Sequence, residues 1–193
     1  DALLKNKSDF YQLIKNSLRY SNLFECHSIE NYTKWIEKNK KLIPKKFFER
    51  GISHIHKASL EMGTFSGRVC TYYDPLPDIT LDLIYIDGPD QYAPTGNVRG
   101  ITTRVPNRMP MAADVLSFEH FLTPGTLIII DGRTANARFL KSNLQRNWDY
   151  FYAKDFDQHF FELLEEPLGI YNQEQIDICL GNSYFDRLKN FIV

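Results

Sequence analysis

Two short, almost uninterrupted apolar runs constrain this chain most. Leu81-Asp82-Leu83-Ile84-Tyr85-Ile86 and Thr126-Leu127-Ile128-Ile129-Ile130 each end on an Asp-Gly pair, Asp87-Gly88 and Asp131-Gly132. Runs of this length bounded by turn residues read as strands, and their lack of polar alternation is what a strand covered on both faces requires. Asp-Gly is also a strong hairpin signal, but a hairpin needs a second strand directly after the turn. After Asp87 comes a Gly/Pro/Arg-rich loop from Pro89 to Asn107, and after Asp131 comes a helical pattern at once. Both corners therefore read as strand-to-helix turns. Each Asp also has a simpler reading, as a turn former or helix cap.

The rest of the chain alternates in the same way. Leu3, Leu4, Phe10, Tyr11, Leu13, Ile14 and Leu18 suit one or two helical segments. Phe24–Glu30 reads as a short strand ending on an acid, and Tyr32, Trp35, Ile36 and Ile43 as a helix stopped by Pro44. Ile52–His56 alternates like a strand. From Leu60 to Thr80 the punctuation leaves room for a short strand at Val69–Tyr72 and no long helix. Pro110 suits a first helical turn, with Met111, Ala112, Val115, Leu116 and Phe118 on the apolar side. Thr134 can cap a helix that turns Phe139, Leu140 and Leu144 inward. Tyr150–Ala153 and His159–Leu164 look like a hairpin, and the tail from Gln173 is a helix or a strand.

Strand–helix alternation with continuous apolar strands predicts an α/β fold of the Rossmann-like, doubly wound kind. Its sheet would be mostly parallel, with a C-terminal antiparallel strand pair. Ligands of such sheets bind beyond the carboxyl ends of the strands, where Glu30, the Ala58-Ser59 turn, Asp87 and Asp131 all fall. The 193 residues fit a single domain. Asp1, rather than Met, opens directly onto a helical pattern, so we expect a chain whose beginning lies upstream.

Bulk charge narrows the partners. With 23 Lys and Arg against 24 Asp and Glu, the net charge of −1 gives no footprint for nucleic acid or a membrane surface. Cys26, Cys70 and Cys179 are far apart and form no C-x-x-C pair, which favours free thiols in a reducing compartment, hence the cytoplasm. No apolar run approaches the length of a membrane span. His54-x-His56 places two rings on one strand face, but a zinc site needs further ligands and the sequence offers none nearby. These two read as core or surface histidines, and His27 and His120 as packing or capping residues. The oligomeric state is not legible.

In order and content these features resemble the class I S-adenosylmethionine-dependent methyltransferases. The match runs from the helix after the family's first glycine-rich motif to the carboxyl-terminal strand pair. Its carriers are Phe24–Glu30, Asp82-Leu83-Ile84-Tyr85-Ile86-Asp87-Gly88-Pro89-Asp90, and Leu122-Thr123-Pro124-Gly125-Thr126-Leu127-Ile128-Ile129-Ile130-Asp131. They look most like the small-molecule O-methyltransferase branch, with Thr126 in place of a second Gly and Gly132-Arg133 in place of a second acid. The family's glycine-rich loop is absent, since no G-x-G occurs. The resemblance therefore implies a single methyltransferase-like domain over residues 1–193, with its first strand and cofactor loop upstream of residue 1.

The resemblance also implies roles. Glu30 would accept bonds from both hydroxyls of the cofactor ribose, Ala58 and Ser59 would flank the adenine, and Asp87 and Gly88 would lie near the methionine end or the acceptor. Methyl transfer is an in-line displacement helped by positioning, and an alcohol acceptor must also lose a proton. Asp87 is the first choice for that base and Asp131 the second. In the metal-dependent branch, Asp87 and Asp131 would hold Mg²⁺ with Asn136 as a third oxygen ligand, though the Gly132-Arg133 replacement argues against it. Asp90, Arg99, Arg104, Arg108 and Arg133 would bind the acceptor, a small polar molecule of anionic or sugar-like kind. As a solvated loop, the same arginines would instead bond carbonyls. Two other functions share this pattern: a nicotinamide-dependent oxidoreductase, which needs G-x-G-x-x-G upstream, and a non-catalytic binding or assembly domain.

Overall fold

The computed structural model describes residues 25–192, which form two compact units. The helical segments expected between Leu3 and Leu18, and Phe24, lie outside the described residues. The first unit includes residues up to Leu60 together with Tyr73–Pro77, and the second holds Glu61–Tyr72 and the chain from Asp78.

In the first unit, β1 (Cys26–Glu30) and β2 (Ser53–Lys57) pair in parallel, with Cys26 opposite Ser53 and Glu30 opposite Lys57. Parallel neighbours need a crossover, supplied here by α1 (Thr33–Leu42) and α2 (Lys45–Glu49). Pro44 cannot continue α1 and instead precedes the first turn of α2. Ile36 is the buried residue of α1, whose exposed positions carry lysines and also Trp35 and Leu42.

The chain then forms a hairpin of β3 (Ser59–Phe65) and β4 (Arg68–Asp74), and the division between the units passes through it. Its two-residue turn, Ser66-Gly67, has positive φ at both positions (47° and 77°), the geometry that matches strand twist in short hairpins. The sequence reading expected only a short strand at Val69–Tyr72.

The second unit carries a four-stranded sheet ordered β5–β6–β8–β7, from Leu83–Ile86, Leu127–Asp131, Gln158–Leu163 and Trp148–Ala153. Only β5 and β6 run parallel; β6–β8 and β8–β7 are antiparallel. Here the expected fold class is corrected. The described strands make three separate sheets of two, two and four strands, not one Rossmann-like, doubly wound, mostly parallel sheet. The physical reason is that an apolar run reports burial, whereas pairing is decided by distant partners that local pattern does not name. The expectation that β5 is covered on both faces also fails. It is an edge strand whose exposure alternates, with Leu83 at 56% and Tyr85 at 42%.

The core of this unit lies where β6 and β8 meet the surrounding helices. Ile128, Ile130, Leu140 and Leu163 are wholly buried, beside Phe161, Ala113, Ala137 and Leu116. The helix expected from Pro110 is shorter: α3 spans Asp114–Phe118, while Met111 and Ala113 bond the backbone of Thr71. The α4 helix (Thr134–Lys141) turns Ala137 and Leu140 inward. Its cap position falls on Arg133, which makes no side-chain capping bond, and the hydroxyl of Thr134, the first helical residue, lies 3.1 Å from His159 Nε2. The tail is helical, as α5 (Ile170–Cys179) and α6 (Asn182–Phe191), which bury Ile176, Tyr184 and Leu188 against Leu164.

One polar network ties these layers. Buried Glu119 accepts bonds through Oε1 from the backbone of Gln145 and Arg146 and from Trp148 Nε1, all within 2.9 Å. Arg146 donates to the carbonyls of Glu119 and Leu122 and forks onto Glu165 at 3.1 and 2.5 Å. Such a forked, charge-assisted pair compensates for the water both groups gave up.

Candidate functional site

The parallel β5–β6 register places Ile86 opposite Ile130, so Asp87 and Asp131 leave neighbouring strand ends on the same side of the sheet. Their environments differ. Asp131 accepts a 2.6 Å bond from the Tyr85 hydroxyl and a 3.5 Å bond from Gln158 Nε2. Asp87 is exposed, and its carboxylate takes no hydrogen bond from another described residue. The Tyr85 phenol is held well above the usual tyrosine range, first by burial, then by its bond to Asp131, then by the charges of Asp131 and Asp87. Gly132 is needed at its corner, where φ is +59°, and its N–H bonds the Asp157 carbonyl at 2.8 Å. Gly88 has no positive φ.

The basic residues divide into those already engaged and those still available. Arg133 Nη1 donates to the Pro89 carbonyl at 3.0 Å, clipping the loop after Asp87 to the corner after Asp131. Arg108 Nη1 bonds the Thr102 carbonyl at 2.9 Å, within the same loop. Arg99 occupies a tight turn at φ +52°, flanked by paired bonds between Val98 and Ile101. The exposed guanidinium groups of Arg99 and Arg104 bond no described residue. Asp90 accepts from the Tyr92 N–H at 2.8 Å, a local turn bond.

The second unit also holds a mostly apolar groove of about 390 Å³. Met62, Met109 and Met111, the three methionines of the chain, all line it, with Thr103, Arg108 and Ala135 of α4. Ala135, the second residue of α4, lies four residues beyond Asp131 in sequence. Methionine walls adapt to irregular apolar ligands.

The donor set does not fit Mg²⁺ as arranged. Both Asp131 oxygens accept protein bonds and the Arg133 cation occupies the same corner. Asn136, the third oxygen expected, is 1% exposed, and neither atom of its amide has a hydrogen-bond partner among the described residues.

Glu30, Ala58 and Ser59 come together within the first unit. Ala58 is buried and its N–H donates to the Glu30 carbonyl at 3.1 Å. The Glu30 carboxylate accepts from Asn39 Nδ2 at 3.2 Å, which leaves Oε2 for another donor. Burial pushes its pKa up, and the Asn39 bond partly offsets the shift. Ser59 Oγ is turned to the Asp74 carbonyl at 3.1 Å, so this hydroxyl already serves the hairpin.

Sequence reasoning missed a histidine cluster in the same unit. Because β1 and β2 are parallel and in register, His27 lies opposite His54, and His56 and Glu25 lie on that same face. His27 Nδ1 stands 2.9 Å from His56 Nε2, and His27 Nε2 stands 3.1 Å from Glu25 Oε2. The H-x-H spacing was legible, but the strand that completes the group is 29 residues away.

Comparison of the chain with protein-family models, with curated proteins and with solved structures found no match.

Proposed function

We propose that the chain transfers a methyl group from S-adenosylmethionine to a small polar acceptor, with Asp87 as the group that takes the acceptor's proton. The observation that carries this reading is the Asp87 carboxylate, which takes no hydrogen bond from another described residue, beside an Asp131 already anchored by Tyr85. A general base must keep an open lone pair within reach of the proton it removes. Asp131 is then a positioning residue, and Arg133 holds the loop that frames Asp87. The methionine-lined groove suits an acceptor with an apolar face, and Arg99 and Arg104 suit an anionic group at its edge. S-adenosylmethionine supplies the methyl group. Within the first unit, Glu30 is the carboxylate that would accept ribose hydroxyls. Free Cys26, Cys70 and Cys179 support a reducing compartment, the cytoplasm. Among the described residues no helix is long and apolar enough to cross a membrane.

Titration calorimetry of the chain with S-adenosylhomocysteine tests the reading. We expect saturable heat, at least about tenfold weaker binding in Glu30→Ala, and lost transfer activity in Asp87→Ala with the fold intact. A folded chain that gives no heat rules the reading out. Activity unchanged by a chelator is expected, because the acidic corner does not suit Mg²⁺.

A further inference from the structure

We infer that Glu25, His27 and His54 form a binding site for a divalent transition metal of the zinc class, with His56 orienting one of the ligands. One donor atom from each of the three residues lies within 4.8 Å of the others. The tautomers follow from the neighbours. His54 Nε2 is 2.9 Å from the Gly51 carbonyl, which can only accept, so that nitrogen carries the proton and Nδ1 keeps the lone pair. In the metal-free chain the Glu25 carboxylate, which can only accept, keeps the His27 proton on Nε2 at 3.1 Å. When Nε2 and Glu25 turn to a metal as ligands, the proton moves to Nδ1, which then donates to His56 Nε2 at 2.9 Å. Metal-binding histidines commonly give their other N–H to a carbonyl or a neighbouring acceptor in this way. The His54 backing bond is thus already made, and the acceptor for the His27 one is in place.

Two imidazoles and one carboxylate match the ligands that zinc prefers, and three protein ligands leave a fourth position open. Tetrahedral ligands about 2.0–2.1 Å from zinc stand roughly 3.4 Å apart. The His27–Glu25 distance of 3.1 Å is already close, so the remaining contraction falls mainly on His54. The rings of His27 and His54 are stacked, with centroids 4.4 Å apart and planes 16° apart. A metal must lie in both ring planes, so this pair has to splay on binding. Glu25, 64% exposed, and the partly buried His54 have room to move, whereas the His27 side chain is 13% exposed, so the splay falls on His54 and Glu25. Cys26 takes no part, since strand alternation turns it to the opposite face.

Equilibrium binding of Co²⁺ and Zn²⁺ to the metal-free chain tests the site. One equivalent of Co²⁺ should bind with the visible absorption of a four- or five-coordinate nitrogen and oxygen site, and Zn²⁺ should displace it. His27→Ala and His54→Ala should each weaken binding at least about tenfold, and exposed Glu25→Gln should do so without threatening the fold. His56→Gln keeps an acceptor for His27 and should bind nearly as the parent does. If the folded parent takes up no stoichiometric Co²⁺, or if Glu25→Gln and His54→Ala bind as tightly as the parent, the site is wrong. The rings would then be a structural stack that shares protons only.

Discussion

His159 in the second unit and the histidines of β1 and β2 in the first handle the same side chain in opposite ways. His159 is 1% exposed, and both ring nitrogens are used: Nδ1 meets the Tyr150 hydroxyl at 2.9 Å and Nε2 the Thr134 hydroxyl at 3.1 Å. Its ring also stacks on Tyr152 with centroids 4.2 Å apart. His27, His54 and His56 stack on one another instead, partly buried, with one imidazole serving as the neighbour of the next. A ring whose polar atoms are all satisfied by unlike groups locks a core in place. Rings gathered with lone pairs to spare contribute little to the fold and are free to meet a ligand. The Glu119–Arg146–Glu165 network extends the first pattern across the second unit.

Truncation offers the harshest way to break this contrast. His159→Ala empties a buried ring site and strands two hydroxyls, so we expect a loss of about 2–4 kcal/mol in urea unfolding. His54→Ala in the metal-free chain removes a partly buried ring with one hydrogen bond and should cost less than His159→Ala, about 1 kcal/mol. Equal losses would mean that both groups are structural and that the contrast is false.

Acid sharpens the comparison with a smaller effect. Burial holds the His159 pKa below its ordinary value of 6.5; the charge of Asp157 opposes this shift and that of Arg138 adds to it. Its contribution is therefore complete above pH 6.5 and declines as pH falls from there through the folded pKa. Glu165 shifts down from 4.5, first because Arg146 bonds it, with burial opposing. That contribution is present above about pH 4.5 and is lost as pH falls through its depressed pKa. Stability measured from pH 8 to pH 3 should fall in two stages. His159→Ala should remove the upper stage and Glu165→Gln the lower; a single stage unchanged by both variants would contradict the assignment.

The same division explains what could be read in advance. Strands at 83–86 and 127–131 were legible because their apolar runs are local, and so were the Asp-Gly corners that end them. Their sheet was not, because β6 takes β8 as its second neighbour and no local pattern in Leu127–Asp131 names Gln158–Leu163. The Ser66-Gly67 turn carried a short hairpin signal, yet β3 around it mixes Glu61, Gly63 and Thr64 with few apolar residues. At the acidic corner the residue types were visible, but which Asp was occupied depended on Tyr85 leaning across from the paired strand. The metal-ligand group was hidden for a similar reason: Glu25 and His27 meet His54 only through the parallel register.

The Tyr85–Asp131 bond gives the mildest test, since it joins unlike groups as in the second unit's core yet sits on an open edge strand. Its stability contribution should be at most about 1 kcal/mol in Tyr85→Phe, because solvent competes for both partners. The electrostatic signature should be clearer than the stability change. Burial is the largest cause of the raised Tyr85 pKa, with the Asp131 bond second and the charges of Asp131 and Asp87 after it. Asp131→Asn removes that charge and turns the carboxylate into a weaker acceptor, so the phenol should ionise at lower pH while remaining above the ordinary value of 10. Nuclear magnetic resonance of the Tyr85 ring through an alkaline titration reads this directly. Asp87→Asn should move it less in the same direction, since Asp87 acts through charge alone. A larger shift from Asp87→Asn would mean that Asp87, rather than Asp131, is the anchored acid, and would reverse the roles given to the two corners.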